Sequence, residues 1–90
     1  MGPDDVSDFD SFVRFVGWLA RDRADEVAKE KLAPSHPMGP GVNGWENSTI
    51  EAFLEAAAAW ATDMRDKSKQ EPVPSWREFA FILHAGKTYE

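Results

Sequence analysis

The chain has no cysteine. That excludes a disulfide framework, a thiolate metal site and a cysteine nucleophile, and it accords with a reducing compartment. No apolar run approaches the roughly 18 residues that a membrane span requires. The first ten residues carry Asp4, Asp5, Asp8 and Asp10, where a signal peptide would be basic. The expectation is a soluble, cytoplasmic protein with no membrane partner. Histidine is almost as scarce: His36 and His84 stand alone, with none of the close pairing that zinc ligands show, so no metal site is expected. No serine sits in a Gly-x-Ser-x-Gly elbow, and Gly39-Pro40-Gly41 lacks the Gly-Lys-Ser/Thr ending of a phosphate loop. The reading is of no catalytic residues and no cofactor. Positive charge is also short, with ten Lys and Arg against sixteen Asp and Glu and a net charge of −6. Without a basic stripe the chain is a poor nucleic-acid binder. A partner recruited by charge would be a protein with a basic surface.

What the chain does have is aromatic side chains, four Trp and six Phe in 90 residues, and each can bury roughly 150–250 Å². A compact core is therefore within reach of a single domain spanning 1–90. It also carries one piece of local grammar twice. Ser48-Thr49-Ile50-Glu51 and Ser75-Trp76-Arg77-Glu78 are both Ser-x-x-Glu ahead of an apolar run. In that box the serine oxygen accepts a free N–H of the first helical turn, and the glutamate reaches back to the serine N–H.

Helical periodicity fills in the rest. Residues 1–6 read as a frayed lead. Ser7 or Asp8 caps a first helix running to Leu32, with Phe9, Phe12, Val13, Val16, Leu19 and Ala20 at helical spacing and Phe15 and Trp18 widening the stripe. A helix apolar around so much of its girth is expected between two neighbours. Its second half, Arg21 to Lys31, reads as a solvated extension, with Asp25–Lys29 attractive and Glu26–Glu30 repulsive. Residues 33–47 hold three Pro and three Gly and form a long loop. A second helix follows over Thr49–Lys67, capped by Ser48, with Ile50, Phe53, Leu54, Ala57, Trp60, Ala61 and Met64 facing inward. A third spans Trp76–Ala85, with Gly86 as its C-cap. No strand pattern is present. The fold class is all-α: a small three-helix bundle, or a four-helix one, with a long Pro/Gly loop between the first two helices.

Two residue groups invite a functional reading. Trp45, at the end of the loop, either lids the bundle, with Glu46 and Asn47 tying the loop to the helix start, or stands exposed as a binding hot spot. In the second case Met38, Val42, Trp45 and Glu46, with Glu51 and Glu55 beside them, form an interaction surface. Glu51 and Glu55 lie one turn apart, but the apolar stripe claims the inner face, so they read as a solvated strip rather than an acid–base pair. The alternative is a small-ligand protein or enzyme, with a pocket lined by Trp18, Trp60 and Trp76 on which Glu46, Asp63 or His84 converge. A third reading is an accessory protein that homodimerises through leftover aromatic surface.

Gly44-Trp45-Glu46-Asn47-Ser48-Thr49-Ile50, Phe53-Leu54-Glu55-Ala56, Trp60, Asp63, Pro74-Ser75-Trp76, Phe79-Ala80, Leu83, Ala85-Gly86 and Tyr89-Glu90, together with Phe12 to Leu19, resemble a family of short bacterial proteins of unknown function. The resemblance implies no activity. The small size suggests comparison with immunity proteins that neutralise toxins, and so an inhibitory interaction module.

Overall fold

The computed structural model describes all residues, 1–90. A 3-10 turn over Pro3–Asp5 precedes three helices: α1 (Phe9–Leu32), α2 (Ile50–Ser68) and α3 (Trp76–Thr88). The chain is all-α, as its periodicity predicts.

Each helix start has a local cause. Asp8 caps α1: its carboxylate accepts from the Ser11 N–H at 2.8 Å, and Ser11 Oγ accepts from the Asp8 N–H at 3.0 Å. This is a reciprocal box written Asp-x-x-Ser. Ser75 caps α3, its Oγ accepting from the Glu78 N–H at 3.0 Å. At α2 the expected cap is displaced by one residue. Thr49, not Ser48, accepts from the Ala52 N–H, at 3.1 Å, and the helix begins at Ile50. Either hydroxyl could cap, and the preceding Asn47 is held on the end of α3. The Ser48 carbonyl instead accepts from Arg23 at 3.5 Å. α2 ends on Lys69 in the left-handed region (φ 58°), its N–H bonding the Arg65 carbonyl.

Three expectations need correction. The lead is packed, not frayed: Val6 is completely buried, and Arg77 Nε donates to its carbonyl at 2.9 Å. Gly86 does not stop α3, which runs on to Thr88. It is buried inside the helix, and it is glycine because a Cβ there would lie 2.8 Å from the Phe53 ring. And α1 does not sit between two helices. α3 is the hub; α1 and α2 each pack on it rather than on one another.

The core is correspondingly lean. Val6, Phe15, Leu19, Trp45 and Ala80 form it, with Phe12, Trp18, Phe53 and Leu83 partly buried around it. Trp18 and Trp60 border the core rather than fill it: Trp18 stacks on Phe15 and Trp60 on Phe81. The accessible surface is 6111 Å², whereas a monomer of 10.1 kDa is expected to expose about 5,300 Å². The molecule is drawn out, 44 × 28 × 18 Å.

Candidate interaction surface

The loop that follows α1 has no regular element, yet its backbone is well satisfied, because α1 supplies acceptors. Glu26 is 1% exposed. Its Oε1 accepts from the backbone N–H groups of Asn43 (2.9 Å) and Trp45 (3.2 Å), and Oε2 pairs with Arg23 at 2.6 Å. One turn further on, Glu30 accepts from the Ser35 N–H (2.6 Å), the Ser35 hydroxyl (2.5 Å) and the Val42 N–H (2.8 Å). The Ser35 hydroxyl and then these amides hold the Glu30 carboxyl below its ordinary range. The charged half of α1 is the surface extension its composition predicts, with the Asp25–Lys29 pair formed at 2.7 Å, but one side of it, Asp22, Glu26 and Glu30, is a rail that anchors the loop. The repulsion expected between Glu26 and Glu30 is absorbed, since each carboxylate is surrounded by donors. Gly41 is required beside it, because a side chain there would overlap the Glu26 carboxylate.

Trp45 closes the arrangement. It is 7% exposed, and its indole N–H donates to Asp22 Oδ2 at 2.9 Å. The same oxygen pairs with Lys87 Nζ at 2.7 Å, and that ammonium lies 5.5 and 5.7 Å from the Trp45 and Trp18 ring centroids. A nearly buried cation is thereby compensated by one carboxylate and two ring faces. Beyond Trp45, the Glu46 and Asn47 N–H groups bond the Lys87 carbonyl, and Asn47 Nδ2 donates to the carbonyls of Gly86 (3.0 Å) and Tyr89 (2.9 Å). The Trp-Glu-Asn segment is therefore a side-on C-cap for α3, which is why α3 can continue past Gly86. It ties the loop to the end of α3, not to the start of α2.

The six residues read from sequence as a contact surface separate accordingly. Met38, at 88% exposure, and Val42 stand on the outer loop; Glu46, Glu51 and Glu55 are exposed; Trp45 is buried, with only a small part of its surface left on a cleft between α1 and the start of α2. The Glu46 carboxyl is raised above its ordinary value by the hydrogen-bonded Glu90 carboxylate beside it. The residues named for a ligand pocket do not gather. Trp76 packs against Phe9, Phe12 and Phe79, Trp18 lies under Lys87, and Trp60 shares a hollow of about 140 Å³ with His84 and Tyr89. Asp63 is engaged by the Tyr89 hydroxyl, whose pKa that bond raises. Burial, then the Lys87 charge, lowers the pKa of His84. No three His, Asp or Glu side chains converge on a common point. No helix is long and apolar enough to cross a membrane.

Sequence reasoning passes over a different surface. A cleft of about 440 Å³ opens between α1 and the start of α2. Trp45 and Phe53, stacked 6.1 Å apart, line it with Arg23, and Ile50 (79% exposed) and Leu54 (58%) stand at its edge. Ile50 and Leu54 read as core because they continue the inward stripe of α2. Their exposure follows from α1 and α2 each packing on α3 rather than closely on one another, which no periodicity encodes.

The family model described as "Family of unknown function (DUF7660)" matches residues 8–90. No curated protein matches the chain, and no solved structure does.

Proposed function

The chain belongs to that family of unknown function, and we propose that it is a non-catalytic protein-interaction module whose docking site is the cleft between α1 and α2. The observation that carries this reading is the cleft's composition: an apolar lining with Ile50 and Leu54 left exposed on α2, and Glu46, Glu51 and Glu55 exposed before and along the same helix. Apolar surface with carboxylates along one side of it suits a protein segment that is apolar on one face and basic along one edge. An inhibitory, immunity-like role is the form of this reading that small size and a net charge of −6 favour.

Titrating the isotope-labelled chain with an amphipathic Leu/Lys helical peptide tests it. Amide shifts should cluster at Ile50, Phe53, Leu54 and the Trp45 indole. Leu54→Glu should abolish them, and a Leu/Glu peptide should produce none. Shifts scattered over the surface, or equal shifts with both peptides, would overturn the assignment.

A further inference from the structure

α1 has a second apolar face besides the one it buries. Phe9, Val13, Val16, Ala20 and Val27 follow one another at intervals of 4, 3, 4 and 7 residues. All five are exposed, Phe9 at 57% and Val13 at 50%. Those intervals place them on one line, rotated by roughly 110° from the buried Phe15, Leu19 and Glu26. It is the seam spacing of a two-stranded coiled coil, with Arg23 at the remaining position. At its N-terminal end the seam continues onto α3, where half-exposed Trp76 packs edge-on against Phe9 at 5.3 Å.

Two further observations say what covers this face. The first is charge. Asp4, Asp5 and Asp10 lie at the start of α1 or just ahead of it, Arg21 and Lys31 lie in its second half, and none of the five has an ion-pair partner within the chain. Residues 21–32 are charge-balanced, with four cations and four anions, so antiparallel pairing of two α1 helices sets each acidic end against a neutral half that offers Arg21 and Lys31, whereas parallel pairing sets the two acidic ends side by side. The second is area. The surplus of accessible surface over a compact chain of this mass is about 800 Å², the share one partner contributes to a standard interface. Gly17, on the edge of the seam near its midpoint, fits the same picture. A Cβ there would meet only the tip of Arg21, at 3.3 Å. Nothing inside the chain asks for this helix-weakening residue, but a second helix crossing there would gain from the close approach.

We propose that two copies of this chain pair through α1 in antiparallel orientation, about a two-fold axis near Trp18. Phe9 of one copy lies opposite Val27 of the other, Val16 lies opposite Ala20, and Asp5 lies within reach of Lys31. The interface is isologous and closes as a dimer. It uses neither Ile50 nor Leu54, and Arg23, which borders both surfaces, is untouched by the variants that test either, so failure of one reading leaves the other standing.

Analytical ultracentrifugation of the full chain from micromolar to submillimolar concentration should show a species of twice the monomer mass. Val16→Glu with Ala20→Glu should weaken association by at least about tenfold. Its thermal melt, measured where both proteins are monomeric, should not move, because both positions are exposed. Lys31→Glu should weaken the dimer, and Lys31→Glu with Asp5→Lys should restore it. Orientation is read by cross-linking, which is clean in a chain without cysteine. A mixture of Phe9→Cys and Val27→Cys chains should form the mixed disulfide in preference to either self-disulfide. A monomer throughout, a dimer indifferent to the double glutamate variant, or preferential self-disulfides would each overturn the proposal.

Discussion

The two faces of α1 invert the usual distribution of side chains. On the face toward α3 and the loop, Glu26 is 1% exposed, and Asp22 carries a nearly buried ion pair; on the adjoining face, about a third of a turn away, Phe9 is 57% exposed and Val13 50%. What decides the matter is not hydropathy but whether the chain supplies a partner. The loop brings backbone N–H groups with no ladder or helix to receive them, and buried donors need acceptors; carboxylates on α1 meet that need. The apolar seam has no remaining helix to cover it, because α2 is occupied by α3.

The sharpest way to break this comparison is to treat both faces alike. Glu26→Ala removes the acceptor for two loop amides and the partner of Arg23, and should destabilise the fold by about 2–4 kcal/mol. Val13→Ser, on the other face, should change stability by less than about 0.5 kcal/mol. Chemical denaturation at concentrations where the chain is monomeric measures both. Equal effects would mean that the two faces are not distinct.

How much of this was legible in the sequence follows from the range of each interaction. The three helices, the Pro/Gly loop and the Ser75 cap are local facts, and local spacing found them. Trp45 left two readings open, and the structure selects the lid. Glu26 was misread because a helix-surface rule looks three or four residues away, whereas its partners Asn43 and Trp45 lie 17 and 19 residues on. Gly86 near a helix end looked like a stop signal; its reason for being glycine is a Phe53 ring from another helix. The breadth of the α1 stripe was read as burial on two sides, but periodicity does not distinguish a cover supplied by the same chain from one supplied by another. For the candidate surface, composition points to the loop tip and the helix start; Met38, Val42, Glu46, Glu51 and Glu55 are exposed and Trp45 is buried. The displaced α2 cap is a smaller instance and gives the next prediction. Thr49→Ala should cost about 1 kcal/mol, while Ser48→Ala should stay within about 0.5 kcal/mol. The reverse order in thermal or chemical melts would restore the Ser48 box.

The smallest effect expected separates the two ends of the loop by pH. Glu30 is held below its ordinary value, near 4.5, first by the Ser35 hydroxyl and then by the Ser35 and Val42 amides; Glu46 is raised above that value, first by the hydrogen bond with Glu90. The signs oppose. Folding depresses the Glu30 pKa, so its contribution is complete above the unfolded value and is lost as pH falls through the folded one. Folding raises the Glu46 pKa, so its contribution is complete below the unfolded value and is lost as pH rises through the folded one. Acid should therefore loosen the start of the loop at Ser35 and Val42 while it tightens the end at Glu46. The apolar seam of α1 has no carboxylate among Phe9, Val13, Val16, Ala20 and Val27 and should not respond. Side-chain carboxyl NMR would read the two midpoints directly, Glu30 below 4.5 and Glu46 above it, and Glu90→Gln should bring the Glu46 midpoint back down. Coincident midpoints for Glu30 and Glu46 would show that the two ends of the loop are held alike.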